Sequence, residues 1–440
     1  MQKTSLRLLA SSALSLSLVV AGSATALAQQ PTPPPVPPVE EAQPAQPATP
    51  AVEPAPVAPP PEKKSEASPI EVSYDKGIKF ESEDGEFEGK LSLRTQFRFE
   101  LNKGTQDGAE YKEFFSLPRG RLQLEGHVWG KFTLYKLEFS LADKLGFAFT
   151  KDLWLEQQFK DGKLGLRVGQ MKGPFNRQEL VSDFASEFNE RAITSEWVKG
   201  GRDLGILFNN GYADKAVEGL EWSFGLFNSF AQGTDKVTVA CPADPMTGVT
   251  TCDAPTGGVN RAGDWSPAVF ARVAFSKGAK FKGYSEADLE GGPLRFGVGL
   301  SYKVDLAQLR KGTHTSLVDN MQQGVGLDAA LKVEGFDAAL GVFLMGFRDK
   351  QTGLGAHIQA GYFVMPKKLQ VAARYAFVPN DTDPDKQDIE VRGALNYYFH
   401  GHQWKWANDF GITKFADGAA PMNKSDKAQI SIRSMAQLTF

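Results

Sequence analysis

The stretch KLSLRTQFRFEL, Lys90 to Leu101, sorts its residues by parity. Leu91, Leu93, Phe97, Phe99 and Leu101 fall on one side, with Thr95 among them; Lys90, Ser92, Arg94, Gln96, Arg98 and Glu100 fall on the other. Successive side chains of a strand point to opposite faces, so this is a strand with one apolar and one ionic face. Two environments fit it. In a soluble sheet the arginines stand in bulk water above an apolar core. In a membrane barrel the leucines and phenylalanines meet lipid and the arginines line an aqueous lumen. The rest of the chain has to decide between them.

The N-terminus begins that decision. Lys3 and Arg7 precede the apolar run LLASSALSLSLVVAG, and the small residues Ala26 and Ala28 stand just before Gln29. This is the layout of a cleavable secretory signal over residues 1–28. The run is broken by serines and falls short of the roughly 18 apolar residues a membrane helix needs. No cysteine follows it, which argues against a lipid anchor. Residues 29–69 are dominated by proline, alanine, valine and glutamate. Such a segment has little to bury and is expected to stay disordered or extended. In polyproline form, at about 3.1 Å per residue, it reaches on the order of 100 Å as a periplasmic tether. It serves either as a plain spacer or as a contact to peptidoglycan or another envelope partner. Cys241 and Cys252 flank the turn-rich PADPMTGVTT. In an exported chain they are expected to form a disulfide stapling a loop, and no other soft ligands lie close enough in sequence to suggest a metal.

From residue 70 to 440 the texture becomes about sixteen segments of alternating polarity, each of roughly the nine to eleven residues a tilted barrel strand needs. PLRFGVGLSYK and DIEVRGALNYYF are clear cases, whereas KFTLYKLEFSL changes parity near Leu134. A short helix is expected near 178–190, and no helical period competes elsewhere. Counting from the first strand, alternate connections are short (WGK, KDGK, VEG, MPKK, HGH) and the intervening ones mostly long (102–118, 171–202, 230–266, 305–323, 415–426). Short turns at one end and long loops at the other is the asymmetry of an outer-membrane barrel. One connection, 277–292, is too long for its place in that scheme. Trp129, Tyr397, Tyr398, Phe399, Trp404 and Trp406 cluster near strand ends, where interfacial girdles form. The closing strand QISIRSMAQLTF ends on Phe440, which is similar to the C-terminal signal read by the barrel assembly machinery. The sequence therefore predicts an all-β, transmembrane antiparallel barrel in the outer membrane, surrounded by lipid and preceded by the disordered Pro-rich segment.

Nothing points to catalysis, cofactors or nucleic acid. His127, His314, His357, His400 and His402 form no HExxH pattern, and there is no nucleophile elbow, P-loop or dinucleotide fingerprint. His400 and His402 flank a turn glycine, and two ligands rarely make a metal site. The chemistry on offer is charge. With the apolar parity facing lipid, the inward parity carries Arg94, Arg98, Arg119, Arg121, Arg167, Arg272 and Arg295 among more bases than acids, although the whole chain has net charge −3. Rings of Arg and Lys favour anions. The competing possibility is that inward charges pair across strands and leave no net field. Arg94, Arg98, Arg119 and Arg121 fall on neighbouring strands and are expected to form one basic strip, with Glu100, Glu113 and Glu125 the acids nearest in sequence.

Residues 169–205 contain Gly169, Gln170, Lys172, Pro174 and Phe175, then Glu190, Arg191 and Ser195, then Gly201, Arg202, Asp203 and Gly205. This pattern resembles the corresponding segment of the phosphate-selective porin O and P family. The resemblance implies a sixteen-stranded homotrimeric porin passing small anions such as phosphate, with this loop narrowing the channel. Arg177, Glu190, Arg191, Lys199 and Arg202 are then constriction candidates. The loop also carries Glu179, Asp183, Glu187 and Glu196, more acid than a dedicated phosphate site suggests. A non-selective or cation-preferring porin, or a plugged barrel acting as tether or surface receptor, stays open.

Overall fold

Alternation alone leaves the arginines of Lys90–Leu101 facing either water or a lumen; closure of the sheet settles which. The computed structural model describes residues 70–105, 108–142, 149–198, 201–211, 218–228, 267–278, 284–305, 321–347, 352–380, 386–416 and 427–440. The signal, the Pro-rich segment, Lys199, Cys241 and Cys252 lie outside the described residues.

Two short strands, β1 (Ile70–Tyr74) and β2 (Ile78–Ser82), precede the wall. The wall runs through β3 (Glu88–Gly104), β4 (Tyr111–His127), β5 (Thr133–Ala142), β6 (Phe149–Phe159), β7 (Leu164–Lys172), β8 (Arg202–Asn209), β9 (Gly219–Asn228) and β10 (Pro267–Lys277). It continues as β11 (Arg295–Asp305), β12 (Met321–Val333), β13 (Phe336–Phe347), β14 (Thr352–Met365), β15 (Leu369–Pro379), β16 (Gln387–His400), β17 (Trp404–Lys414) and β18 (Ala428–Thr439). Each wall strand pairs antiparallel with the next, and β18 returns to β3, from Gln429 opposite Gly104 to Thr439 opposite Arg94. The result is a closed sixteen-stranded barrel, β3 to β18, with no unpaired wall edge. All sixteen segments read from the alternation are wall strands.

Closure gives the two faces their meaning. Phe97, Leu155, Leu300 and Phe410 are exposed on the outside, while Arg98, Arg121, Arg167, Arg272 and Arg374 are buried within the lumen. The ambiguous β5 keeps one parity after all: Lys136 and Glu138 point inward, and Leu134 joins them as an apolar inward residue packed on the interior cluster. Tyr398, one of the residues read as girdle, also points inward and is 1% exposed, whereas Phe399 and Trp406 face out.

Tight turns close one end. Glu334 and Gly335 join β12 to β13 with φ of 49° and 81°, the left-handed pair that a two-residue hairpin matched to the sheet twist requires. Phe440 lies at this turn end, its N–H donating to the Leu93 carbonyl at 2.9 Å and its carbonyl accepting from the Leu93 N–H at 2.6 Å. Below that point β3 pairs instead with β2, Ile78 opposite Leu91. The β1–β2 hairpin escapes a reading based on ten-residue segments because each of its strands has five residues.

Two connections fold into the barrel. One follows β7 from the loop end and is described over residues 173–198, with helix α1 (Arg177–Leu180), a 3-10 turn at Asp183–Ala185 and helix α2 (Ile193–Val198). The single helix expected near 178–190 is thus these separate short pieces. The other is the overlong connection between β10 and β11, entering from the turn end; its Glu286, Ala287 and Asp288 are buried. The two meet inside, where the Glu286 N–H donates to the Ala185 carbonyl at 3.0 Å and the Glu286 carboxylate accepts from the Glu187 N–H at 2.8 Å. That meeting accounts for the length the turn pattern left unexplained.

Candidate functional site

The loop after β7 is held by an apolar interior. Phe175, Leu180 and Val198 pack with Leu207, Phe227, Phe270, Phe343 and Met345, all inward-facing wall residues. Glycines on both sides make the room: a Cβ on Gly326 of the wall would stand 2.9 Å from the Phe343 ring, and one on Gly173 of the loop would stand 2.8 Å from Phe270. Helix α2 docks further round, the Thr194 hydroxyl donating to the carbonyls of Ala356 (2.8 Å) and Phe377 (3.1 Å). One side of the lumen is therefore packed like a protein core. A simple rule of apolar outside and polar inside misses it, because these residues face a loop rather than water.

Carbonyls of the same loop are tied to the opposite wall. Gln437 donates to Phe184, Lys405 to Ser186, Asn396 to Glu187 and Arg374 to Glu190, at 2.6–2.9 Å. Gln178 is a hub: its amide nitrogen donates to Gln359 and Glu286, and its amide oxygen accepts from the Ala192 N–H and the Ser195 hydroxyl. Lys172 donates to the Glu179 carbonyl at 2.5 Å, and Arg191 donates to the carbonyls of Gln178 and Val181. Arg202 grips Asp152 at 2.7 Å. The family-like residues Lys172, Phe175, Arg191 and Ser195 thus fold and anchor the loop, while Arg202 ties β8 to Asp152 on β6. Glu190 faces the strip.

That strip is real, and it is neutralised. Arg94 bonds Glu138 and Gln123. Arg98 pairs with Glu190 at 2.5 Å and Glu100 at 3.0 Å; Arg119 pairs with Glu190 at 2.7 Å and Asp183 at 3.2 Å; Arg121 reaches Glu138 at 3.1 Å. Of the three acids nearest in sequence Glu100 is a partner and Glu113 and Glu125 are not; the other acids come from β5 and from the loop. The other wall arginines are paired as well: Arg167 with Glu156, Arg272 with Asp328 through two bonds, and Arg295 with Asp288. Arg177 is buried at the start of α1 and shares a small cavity with Arg272, Asp328, Glu221 and Tyr284. Buried pairs of this kind hold geometry more than they add net stability, because desolvation offsets much of the Coulomb gain.

The pairing sets the loop's protonation. Burial alone pushes the Glu190 carboxyl up, but Arg119 and Arg98 bring it down to about 2. Burial likewise opposes ionisation of Asp183, and Arg191, Arg119, Lys172 and Arg121 together hold it well below the usual carboxylate range. Glu187 goes the other way. It is buried without a cation bonded to it, among Gln359, Gln370, Asp337 and Glu286, and burial plus those two carboxylates push it well above its ordinary value.

Open space remains beside β3 to β7. A cavity of about 280 Å³ is lined by Arg94, Arg121, Lys136, Arg167, Lys172 and Arg202 together with Glu125, Glu138, Asp152 and Asp183, with Trp154 and Phe184 among the apolar lining. A second cavity of about 450 Å³ opens at the turn end and shares Arg94, Ser182 and Phe184 with the first. Arg94, stacked over the Phe184 ring at 4.8 Å, therefore stands between the two. Between Arg119, Asp183, Glu190 and Arg191 only about 10 Å³ is free. Among the described residues no cluster of His, Cys, Asp and Glu is arranged to hold a metal.

The structure thus brings Arg94, Arg98, Arg119 and Arg121 together with Glu190, Arg191 and Arg202 around the loop. It places Arg167 in the side cavity, and Arg272 and Arg295 elsewhere on the wall. Gln178, Phe184 and Glu286 were missed by the sequence reading, and Glu187 was noted there only as one of the loop's acids. The only signal for Glu286 was that its connection is too long for a tight turn.

A closed sixteen-stranded wall with charged residues inside and apolar ones outside defines a transmembrane β-barrel of the outer-membrane type. Residues 90–236 match the family model "Phosphate-selective porin O and P", which bears out the resemblance read from residues 169–205. Among solved structures, an anion-selective porin from Comamonas acidovorans superposes with a TM-score of 0.51 at 13% identity, over 80% of this chain and 99% of that one. OmpT, an outer membrane protein of Vibrio cholerae, gives 0.49 at 10% identity over 80% and 98%, and the outer membrane channel DcaP of Acinetobacter baumannii gives 0.47 at 12% over 82% and 99%. At such identities the first of these speaks for the fold alone. No curated protein matches the chain.

Proposed function

We propose that this outer-membrane porin passes small anions, phosphate among them, by passive diffusion through the space beside β3 to β7. One observation carries the reading: the 280 Å³ cavity is lined by six cationic side chains against four carboxylates. A surplus of fixed cations in a narrow, low-dielectric passage raises the local concentration of anions. The family resemblance adds phosphate and a homotrimer, and the chain acts as a channel rather than an enzyme. In this reading residues 1–28 are the removed signal, residues 29–69 the periplasmic tether, and Phe440 the end of the strand offered to the assembly machinery. Reversal potentials of the purified protein in a KCl gradient test it: chloride preference supports the proposal and potassium preference overturns it.

The meeting of the two insertions inside the lumen favours a second reading, a plugged barrel used as tether or receptor. Absence of any conductance in bilayers selects that reading over the first.

A further inference from the structure

The 450 Å³ cavity at the turn end differs in chemistry from the side cavity. Its lining carries the cations Arg94, Arg295 and Lys332 from the wall and Lys76 from the β1–β2 turn, with Glu290 the one carboxylate among its lining residues. Arg295 is fixed by Asp288 at 2.6 Å, and Lys332 by the Ala287 carbonyl at 3.2 Å, so neither swings freely. Lys76 is exposed at the rim and has no ion-pair partner among the described residues. The Thr439 hydroxyl lines the same space, buried and without a hydrogen-bond partner.

Apolar surface separates this cavity from a plain phosphate site. Phe184 from the inserted loop and Leu289 from the β10–β11 connection both face it. A hydrated inorganic anion gains nothing from those two side chains. A carboxylate attached to a small ring or short chain gains from both, leaving its charge to Lys76 and the wall cations. Its volume suits a ligand of one ring.

We infer that the turn-end vestibule is a binding site for small organic carboxylates with an apolar body, the benzoate class, with Leu289 and Phe184 gripping the body and Lys76 closing on the charge. The inference rests on the porin reading for how such a ligand arrives. The site also gives the N-terminal hairpin a role, its Gly77 seating the turn against the Leu91 carbonyl where a Cβ would approach to 2.6 Å.

Calorimetric titration of the full chain in detergent, with benzoate, benzylammonium and inorganic phosphate as probes, tests the site. Benzoate should bind, and the other two should bind at least about tenfold more weakly. Leu289→Asp, which removes apolar contact and sets a second negative charge beside the ligand, should weaken benzoate about tenfold or more. Lys76→Asn, in an exposed turn whose φ of 53° asparagine tolerates, should weaken it severalfold without touching the fold. Equal binding of benzoate and benzylammonium, no benzoate binding, or benzoate binding unchanged in Lys76→Asn overturns the site. KCl reversal potentials on the same preparation keep the two readings apart. Chloride preference without benzoate binding removes the vestibule site and leaves the porin reading, whereas potassium preference with benzoate binding does the reverse.

Discussion

Replacing Glu190 by glutamine removes one negative charge from the packed cluster of Arg98, Arg119 and Glu190 while keeping the side chain's size. In the native chain its two oxygens each hold a guanidinium, Arg98 at 2.5 Å and Arg119 at 2.7 Å. Both arginines keep a second partner, Glu100 and Asp183, so the loop stays pinned and the change is electrostatic. A unit charge about 8 Å from the ion path in water-like dielectric contributes roughly 0.5 kcal/mol, with opposite sign for anion and cation. Screening at physiological salt leaves about 0.4–1 kcal/mol between them. That converts to an about 2- to 5-fold rise in chloride over potassium permeability. Reversal potentials of wild type and Glu190→Gln in the same KCl gradient read it directly. An unchanged value, or a shift toward potassium, refutes the claim that ions pass the Glu190 cluster.

Phe175→Ala removes a ring that is 1% exposed and packed 5.8 Å from Phe343, which should cost the docked loop about 3–5 kcal/mol. Trypsin should then cut at Arg177 and Arg191, both shielded in the wild type; unchanged resistance counts against the packing account. Glu187 has a raised pKa, so its contribution is full at low pH and is lost as pH rises through the folded value. Protection from hydrogen exchange over residues 183–190, corrected for the base-catalysed intrinsic rate, should therefore fall as pH rises above the ordinary carboxylate range, and Glu187→Gln should flatten that fall. Glu190 has the opposite sign: held at about 2, it contributes fully above the ordinary carboxylate range and loses that contribution as pH falls toward about 2.

The wall was legible because alternation at period two needs only local sequence, and lipid on one side enforces it strand after strand. Strand β6 was read with both its ends in place, Phe149 to Phe159. The lumen was far less legible. Phe227, Phe270 and Phe343 point inward because a segment distant in the chain packs on them, and nothing in β9, β10 or β13 alone announces that loop. The arginines of the opening strand were placed on the correct face, but their partners Glu138, Asp183 and Glu190 lie 44, 64 and 92 residues away from Arg94, Arg119 and Arg98. The conspicuous motif after β7 marked the loop that folds into the barrel: Lys172, Phe175, Arg191 and Ser195 hold it in place, and of the motif residues Glu190 meets the strip.

In the proposed function solutes pass on the β3 side of the lumen, between the two cavities that share Arg94, Ser182 and Phe184. Ser182→Cys in a chain with Cys241 and Cys252 replaced by serine sets one thiol on that path. Bilayer current through this variant should fall sharply when a negatively charged methanethiosulfonate is added, and Thr194→Cys, packed against the far wall, should be insensitive. Undiminished current after confirmed modification of Ser182→Cys would contradict the account.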